Sequence, residues 1–296
     1  MSVATVLPVI EQWVGRVDPG RVDAVGGGSI NRSYAFTGAD GERFFLKINR
    51  VQLHGMFEAE RDGLAELEGA GAVRVPRPIA SGAAGGAAYL LLEGLDLAES
   101  GGRAAAADSA AGQLGKRLAA QHRVMSDEFG WHRDNTIGLT PQINTRTDNW
   151  IEFLRDSRLG FQLRLAAKNG IAADVVAAGN ELLARLPDWF ADYTPEASLL
   201  HGDLWGGNWG VLPDGQPVIF DPAVYFGDRE ADIAMTMLFG GFGAGFLEAY
   251  ESSWPLDPGF SHRIELYNLY HVLNHFNLFG GGYARQALAM LNSLLA

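Results

Sequence analysis

The chain has no cysteine. Disulfides and thiolate metal ligands are therefore excluded, and the expected compartment is the cytoplasm, with which a thiol-free sequence is compatible. It also lacks any run of about eighteen apolar residues, so no transmembrane helix is expected. No basic segment followed by an apolar stretch opens it, as a secretory leader would require. Cations are scarce, with 23 Lys and Arg against 35 Asp and Glu for a formal net charge of -12. That balance argues against nucleic acid or an anionic membrane as the main partner. No internal period is visible. What is present is 296 residues, 47% of them hydrophobic, which suffices for a large core and makes two lobes the natural expectation. A monomer is expected. Glycine is abundant at 38 residues, and the Ala/Gly stretches 82–87 and 101–107 read as loop tips.

The densest group of chemically useful side chains is His201-Gly202-Asp203-Leu204-Trp205-Gly206-Gly207-Asn208, followed by Asp221 after the apolar Val218-Ile219-Phe220. An Asp-x4-Asn pair trailed by a strand-terminal Asp is the set of groups that phosphoryl transfer uses. The first Asp accepts the acceptor-hydroxyl proton, while the Asn and the second Asp hold Mg²⁺ on the nucleotide phosphates. Taken alone, the motif has a plainer alternative, because Gly, Asp and Asn together commonly mark turns. Spacing favours the chemical reading. Residues 208–212 can form one strand, 213–216 a four-residue turn and 217–221 the return strand. Leu212 then faces Pro217 and Asn208 faces Asp221, which brings two oxygen ligands for a hard cation to one end of a hairpin.

Residues 22–25, Gly26-Gly27-Gly28-Ser29 and residues 31–36 read as strand, glycine-rich turn and strand, with a third strand over 42–48. A triple glycine lets backbone N–H groups approach phosphate oxygens, although a plain hairpin turn has the same appearance. Lys47 lies near the end of the third strand, where a kinase places its phosphate-contacting lysine, and a surface lysine on an edge strand is the alternative. A helix follows over 54–68. Phe57, Leu64 and Leu67 share one face, and Glu60 falls on that stripe whereas Glu58, Arg61, Asp62 and Ala65 do not. An inward carboxylate needs a partner, and Lys47 is the one available. Residues 73–78 read as an extended connector, and 89–92 as an apolar strand ending at Glu93-Gly94-Leu95.

Ala111, Leu114, Leu118, His122 and Met125 recur at helical spacing, for a helix ending near Ser126 in which His122 is a packed or capping residue. The glycine-rich and polar stretch 129–138 leads to a helix starting at Asn149-Trp150, and long loops of this kind often border clefts. Asp232 falls in the first turn of another helix, where it suits the terminus and serves structure rather than chemistry. His271 and His275 stand four apart, a zinc-ligand spacing. With no glutamate beside His271 and no third ligand evident, aromatic packing or a hydrogen bond at the cleft is the better reading. Residues 283–296 close the chain as an amphipathic helix.

With these residues in view, the chain resembles the fructosamine kinase (ketosamine-3-kinase) family over nearly its full length. The likeness is carried by Gly26-Gly27-Gly28-Ser29-Ile30, Phe45-Leu46-Lys47-Ile48-Asn49, Met56-Phe57-Glu58-Ala59-Glu60 and residues 73–78. It continues in Thr140-Pro141-Gln142-Ile143-Asn144, residues 201–208, Phe220-Asp221-Pro222-Ala223, Met237-Leu238-Phe239-Gly240-Gly241-Phe242, and Leu273-Asn274-His275 with Leu278-Phe279-Gly280. The His-Gly-Asp loop and Asp-Pro-Ala are shared with aminoglycoside and choline phosphotransferases. Asp-Leu-Trp-x-Gly-Asn and the Phe-Gly-Gly-Phe segment are more particular to the fructosamine kinases.

The resemblance implies an α+β, bilobal, protein-kinase-like fold. A small β-rich N-lobe with one main helix would span 1–94, and a larger, mostly helical C-lobe 95–296. It implies ATP and Mg²⁺, with Asp203 as base, Asn208 and Asp221 as metal ligands, and Lys47 with Glu60 positioning phosphate. Gly26, Gly27, Gly28 and Ser29 would cover the nucleotide, and backbone at Glu93 and Leu95 would meet the adenine edge. Trp205 and His275 would face the acceptor, and His201 and Asp232 would support the loop. The acceptor would be a ketosamine, as a small glycated amine or a glycated protein lysine. Some family members carry a cysteine where this chain has Ser29, so a redox switch on that thiol is absent. The stretch between Lys47 and Glu60 is also about a residue shorter. A kinase for an aminoglycoside, choline or a free sugar, and a non-catalytic nucleotide binder, stay open as alternatives.

Overall fold

Strict alternation in two neighbouring strands sets the N-terminal architecture. In β3 (Arg43–Arg50) and β5 (Ala87–Glu93), Phe44, Leu46, Ile48, Tyr89 and Leu91 point to one face, and Ala88, Leu90 and Leu92 to the other. Both faces are apolar, so each must be covered. Helix α1 (Leu7–Val14) covers the first with Leu7, Ile10 and Val14, and α2 (His54–Ala70) covers the second with Phe57, Leu64 and Leu67. The remaining strands are β1 (Asp23–Val25), β2 (Arg32–Thr37) and β4 (Pro78–Ala84), giving an antiparallel sheet of order β1-β2-β3-β5-β4. The structure, a computed structural model, describes residues 3–26, 30–98 and 104–296, with residues 104–107 and 244 described by backbone alone. Gly27, Gly28 and Ser29 lie outside the described residues.

The second part is mostly helical: α3 (Ala104–His122), α4 (Trp150–Phe153), a π-helical stretch (Leu154–Leu159), α5 (Gly160–Lys168) and α6 (Ala173–Arg185). After them come α7 (Glu230–Leu238), α8 (Ala244–Ser253), α9 (Phe260–Phe279) and α10 (Tyr283–Leu295). Short antiparallel pairs hold the loops between them: β6 (Asn135–Ile137) with β7 (Thr140–Gln142), β8 (Ser198–Leu200) with β11 (Tyr225–Gly227), and β9 (Trp209–Val211) with β10 (Pro217–Ile219). One core runs from the α2 face of the sheet into these helices. Among the described residues no helix is long and apolar enough to cross a membrane. The α+β plan, a β-rich first part and a mostly helical second, is as expected.

Three local expectations are corrected. Helix α3 ends at His122, because the carbonyl of Val124 accepts from Leu199 N at 2.8 Å and Ser126 N donates to Ala197 O at 3.0 Å. Met125 is thereby left exposed beside β8. Residues 104–107 belong to α3 rather than to a loop tip. The β9–β10 hairpin turns in three residues instead of four. Gly215 adopts φ 86° and donates to Leu212 O at 2.9 Å, and Leu212 then pairs with Gln216. This is a type I turn closed by a left-handed glycine. Asn208 consequently faces Phe220, whose N–H donates to Asn208 O at 3.0 Å, and not Asp221. Helix α1 was not foreseen, although Pro8 at its start and the Leu7, Ile10, Val14 spacing are helix signals.

Candidate active site

The register shift does not separate the expected ligands. Asp221 is the only non-glycine residue with positive φ, 57°, among those described. That conformation is costly for a side-chain-bearing residue and occurs where surrounding structure enforces it. It swings the carboxylate off the strand end toward β3, where Lys47 Nζ contacts Asp221 Oδ1 at 2.5 Å and Glu60 Oε1 at 2.5 Å. The Lys47 and Glu60 side chains are 5% and 11% exposed, while that of Asp221 is 49% exposed. Burial alone would drive the Lys47 ammonium toward neutrality, but the Asp221 and Glu60 charges outweigh it and hold its pKa above the usual lysine range. Burial and the nearby Asp221 charge raise the Glu60 pKa against the opposing pull of Lys47.

Asn208 closes the group. Its amide nitrogen donates to Asp203 O at 2.9 Å and reaches Asp203 Oδ2 at 3.4 Å and Asp221 O at 3.5 Å. The nitrogen thus faces inward. Among the described residues no hydrogen bond engages Asn208 Oδ1 or Asp221 Oδ2, which leaves two hard oxygen donors free. Burial, reinforced by the Asp221 and Asp232 charges, pushes Asp203 up to about 7.

The loop bearing Asp203 is held by its backbone. Asp232, in the first turn of α7, accepts from His201 N at 2.7 Å and Gly202 N at 2.8 Å, and His122 Nε2 lies 3.2 Å from the same carboxylate. His201 is buried, contacts Phe220 O through Nε2 at 3.0 Å and accepts from Asp203 N through Nδ1 at 3.3 Å. Those partners fix it as the neutral Nε2–H tautomer, and burial lowers its pKa accordingly.

Trp205 is 39% exposed and lies edge-on to Phe239, whose ring is 5.0 Å from that of His275. His275 also meets Phe279 and Tyr283, and its Nδ1 donates to His271 O at 2.8 Å. Trp205 and His275 are therefore linked through one ring. His271 is fully buried and held neutral, its pKa pushed down by burial to about 3. No cluster of three potential metal-binding side chains occurs among the described residues, and the His271/His275 spacing leads to packing rather than to a metal. Gly26 leaves open space where a Cβ would sit. The Glu93 carboxylate is engaged by the Arg74 guanidinium and by Arg77 N, and the Glu93 and Gly94 N–H groups donate to Arg77 O and Arg43 O. The Glu93 and Gly94 N–H groups are therefore already engaged, and the backbone at Leu95 and the Glu93 carbonyl are the groups here that could meet a ligand edge.

Sequence reasoning missed how Phe239-Gly240-Gly241-Phe242 contributes. A Cβ on Gly206 would sit 2.7 Å from Gly240 O, and Trp209 Nε1 donates to Gly241 O at 3.1 Å. The segment backs the Asp203 loop directly, and its paired glycines were the available signal.

The profile of the fructosamine kinase family matches residues 3–296. The chain belongs to that family. A protein of Synechocystis provisionally described as a ketoamine kinase is 44% identical over 98% of this chain and 96% of its own length. The chloroplastic protein-ribulosamine 3-kinase of Arabidopsis thaliana is 40% identical over 93% of this chain and 82% of its own length. A Haemophilus somnus crystal structure, provisionally described as a fructosamine-3-kinase, superposes with TM-score 0.88 at 26% identity, covering 99% of this chain and 98% of the other. The bilobal, kinase-like fold and ATP-dependent transfer to a hydroxyl follow from that membership.

Two measurements test the electrostatics. Glu60→Gln keeps an oxygen near Lys47 but removes the charge. It is expected to lower kcat/KM for ATP by about 10- to 100-fold, the worth of a charge-assisted hydrogen bond. An unchanged constant would show that Asp221 alone orients Lys47. The second concerns stability. Below its unfolded pKa of about 6.5 the free His271 imidazole gains a proton that the folded chain refuses until about pH 3. Stability is therefore fully present above the unfolded value and declines as pH falls through this window, by at most about 1.4 kcal/mol per pH unit. Urea unfolding of His271→Leu is expected to show a shallower acid decline. An identical slope would locate the acid sensitivity elsewhere.

Proposed function

We propose that the chain phosphorylates a sugar hydroxyl of ketosamines, the C3 hydroxyl in particular, using ATP and Mg²⁺. The observation that carries this reading is the single Asn208 amide, within 3.5 Å of both the Asp203 carboxylate and the Asp221 backbone, beside a lysine that already grips Asp221. Residues 1–94 act as the nucleotide lobe, with residues 26–29 over the phosphates and backbone at Glu93 and Leu95 along the adenine edge. Residues 95–296 carry the base and the acceptor wall. The free Asn208 Oδ1 and Asp221 Oδ2 suit Mg²⁺, which takes few protein ligands alongside phosphates and water. When bound, the ion neutralises phosphate charge as the transfer proceeds.

Asp203 accepts the proton of the attacking hydroxyl. A base works best with a pKa near the operating pH, and a half-buried carboxylate beside other acids meets that condition. Lys47, fixed by Glu60 and Asp221, presents its ammonium to phosphate oxygens. Trp205 and His275 wall the sugar and amine portions of the acceptor, which is a small glycated amine or a glycated protein lysine. The names of the ribulosamine and ketoamine kinase relatives support this class.

Asp203→Asn is expected to reduce turnover by about 10²- to 10⁴-fold, the usual contribution of a general base, while ATP affinity stays nearly intact. Full turnover in that variant would remove Asp203 from its assigned role. Asp221→Asn is expected to weaken the nucleotide more with magnesium present than without it, a difference that titration with and without the metal reads directly. Initial rates on a ribulosamine, an erythrulosamine and a fructosamine, compared with an aminoglycoside and choline, test the acceptor. Turnover confined to the last two would replace the ketosamine reading. Clear ATP binding with no turnover on any of the five would favour a non-catalytic nucleotide binder.

A further inference from the structure

Among the described residues no hydrogen bond joins Thr140-Pro141-Gln142-Ile143-Asn144 to the side chains assigned to nucleotide or acceptor, yet the segment holds a buried amide bonded at both ends. Gln142 is 1% exposed. Its Nε2 donates to Asn135 Oδ1 at 2.9 Å and to Ala223 O at 2.9 Å, and its Oε1 accepts from Tyr270 OH at 2.7 Å. Ala223 lies two residues after Asp221. Its N–H donates to His201 O at 2.8 Å, two residues before Asp203. Its carbonyl also packs against Gly202, so closely that a Cβ there would collide with the oxygen. Ala223 thus joins the Asp203 loop to the Asp221 segment through its N–H, while its carbonyl, in the next peptide unit, is pressed between Gly202 and Gln142.

The neighbouring carbonyl is held in the same way. Asn135 Nδ2 donates to Val224 O at 2.7 Å, and Asn135 Oδ1 also receives Asn144 Nδ2 at 2.9 Å. Asn144 Oδ1 in turn accepts from the Arg158 guanidinium at 2.8 Å. Arg158, 1% exposed, lies in the π-helical stretch over the rings of Tyr225 and Phe153 at 3.9 and 4.4 Å. A π-turn inside a helix re-aims side chains and is common at functional sites. Here it points a cation at the amide chain, and the amide chain ends on the backbone behind Asp221.

We propose that Gln142 is a positioning residue for phosphoryl transfer: it fixes the Ala223 peptide and thereby sets how Asp221 stands relative to Asp203. The inference rests on the roles given to those two acids. A buried amide with every bond made is rigid, and removing one partner strands the others in a low-dielectric interior. Misplacement of reacting groups by about an ångström can cost about 10²-fold in rate.

Gln142→Glu keeps the acceptor for Tyr270 but loses both donors, Gln142→Leu loses all three bonds, and Tyr270→Phe removes one bond with little change in shape. Turnover per folded molecule, acceptor KM, ATP affinity and melting temperature are compared with Asp203→Asn measured in parallel. The Gln142 variants are expected to lose about 10- to 100-fold in kcat with acceptor KM changed less than about threefold. Tyr270→Phe is expected to lose about three- to tenfold at a nearly unchanged melting temperature. Wild-type kcat in Tyr270→Phe and in whichever Gln142 variants fold would overturn the proposal, as would a loss that tracks the unfolded fraction. If neither Gln142 variant folds, Tyr270→Phe decides alone. Should Asp203→Asn retain turnover, the underlying site reading falls and takes this inference with it. An inactive Asp203→Asn beside fully active Gln142 and Tyr270 variants sinks the inference only.

Discussion

The buried ammonium of Lys47 is the interaction on which the site depends. It joins a strand, a helix and a hairpin end that are otherwise distant in sequence, because one partner is thirteen residues away and the other 174. Burying a charge is unfavourable unless partners replace its hydration. Here two carboxylates meet one cation, so the cluster retains an excess of negative charge rather than balancing. Asp203 lies near enough to feel Asp221 and adds to that excess. Surplus negative charge, a half-exposed carboxylate and unengaged oxygens are the features on which the proposed Mg²⁺ site rests. The excess acidity is thus a local property, distinct from the general acidity of the chain.

Asp203 and Asp232 show how environment divides one residue type between two tasks. Asp232 is buried and Asp203 half-buried, and burial disfavours the charged form of each. Asp232 is surrounded by donors: His122 and the His201 and Gly202 N–H groups. These prevail, and its pKa is lowered. Asp203 has only the Asn208 amide to set against two like charges, and its pKa rises. A carboxylate satisfied by fixed N–H groups is an anchor, whereas one with few donors is available to take a proton. The same loop therefore contains the proposed base and is tied down by a carboxylate of the opposite character.

How far these features were legible in sequence depended on the range over which each is encoded. Glu60 was found because a helix repeats locally, so the inward stripe of Phe57, Leu64 and Leu67 singled it out from Glu58. Four strands of the sheet were legible as runs bounded by turns, whereas β4 (Pro78–Ala84) lay between a stretch read as a connector and one read as a loop tip. The β9–β10 register was missed because one left-handed glycine, Gly215, shortens the turn by a residue, and four-residue and three-residue loops suit the same sequence. The end of α3 was set by β8, some seventy residues later, which captures the chain at Val124 in place of another helical turn. The Gln142 network was invisible for a stronger reason. It ends on two backbone carbonyls, those of Ala223 and Val224, more than eighty residues away, and a carbonyl carries no sequence signature. Asn, Gln and Arg in a polar stretch look solvated until the fold encloses them.

The glycines around Trp205 show that a loop motif can encode packing rather than flexibility. Gly207 lies directly beneath the Trp205 ring, where no side chain would fit, and Gly206 meets the backbone of Gly240 and Gly241. The φ values of 68° and 96° at those two let the chain turn after α7 and come flush against the Asp203 loop. Phe239 then meets Trp205 edge-on, and Phe242 stacks on Trp209 at 5.6 Å with an interplanar angle of 15°. Two motifs thirty residues apart are therefore a single packing unit. The Trp205 ring lies over Gly207 and against Phe239, so an alanine at position 206 or 207 would reorient this proposed acceptor wall while leaving Lys47, Asp203, Asn208 and Asp221 unchanged in sequence.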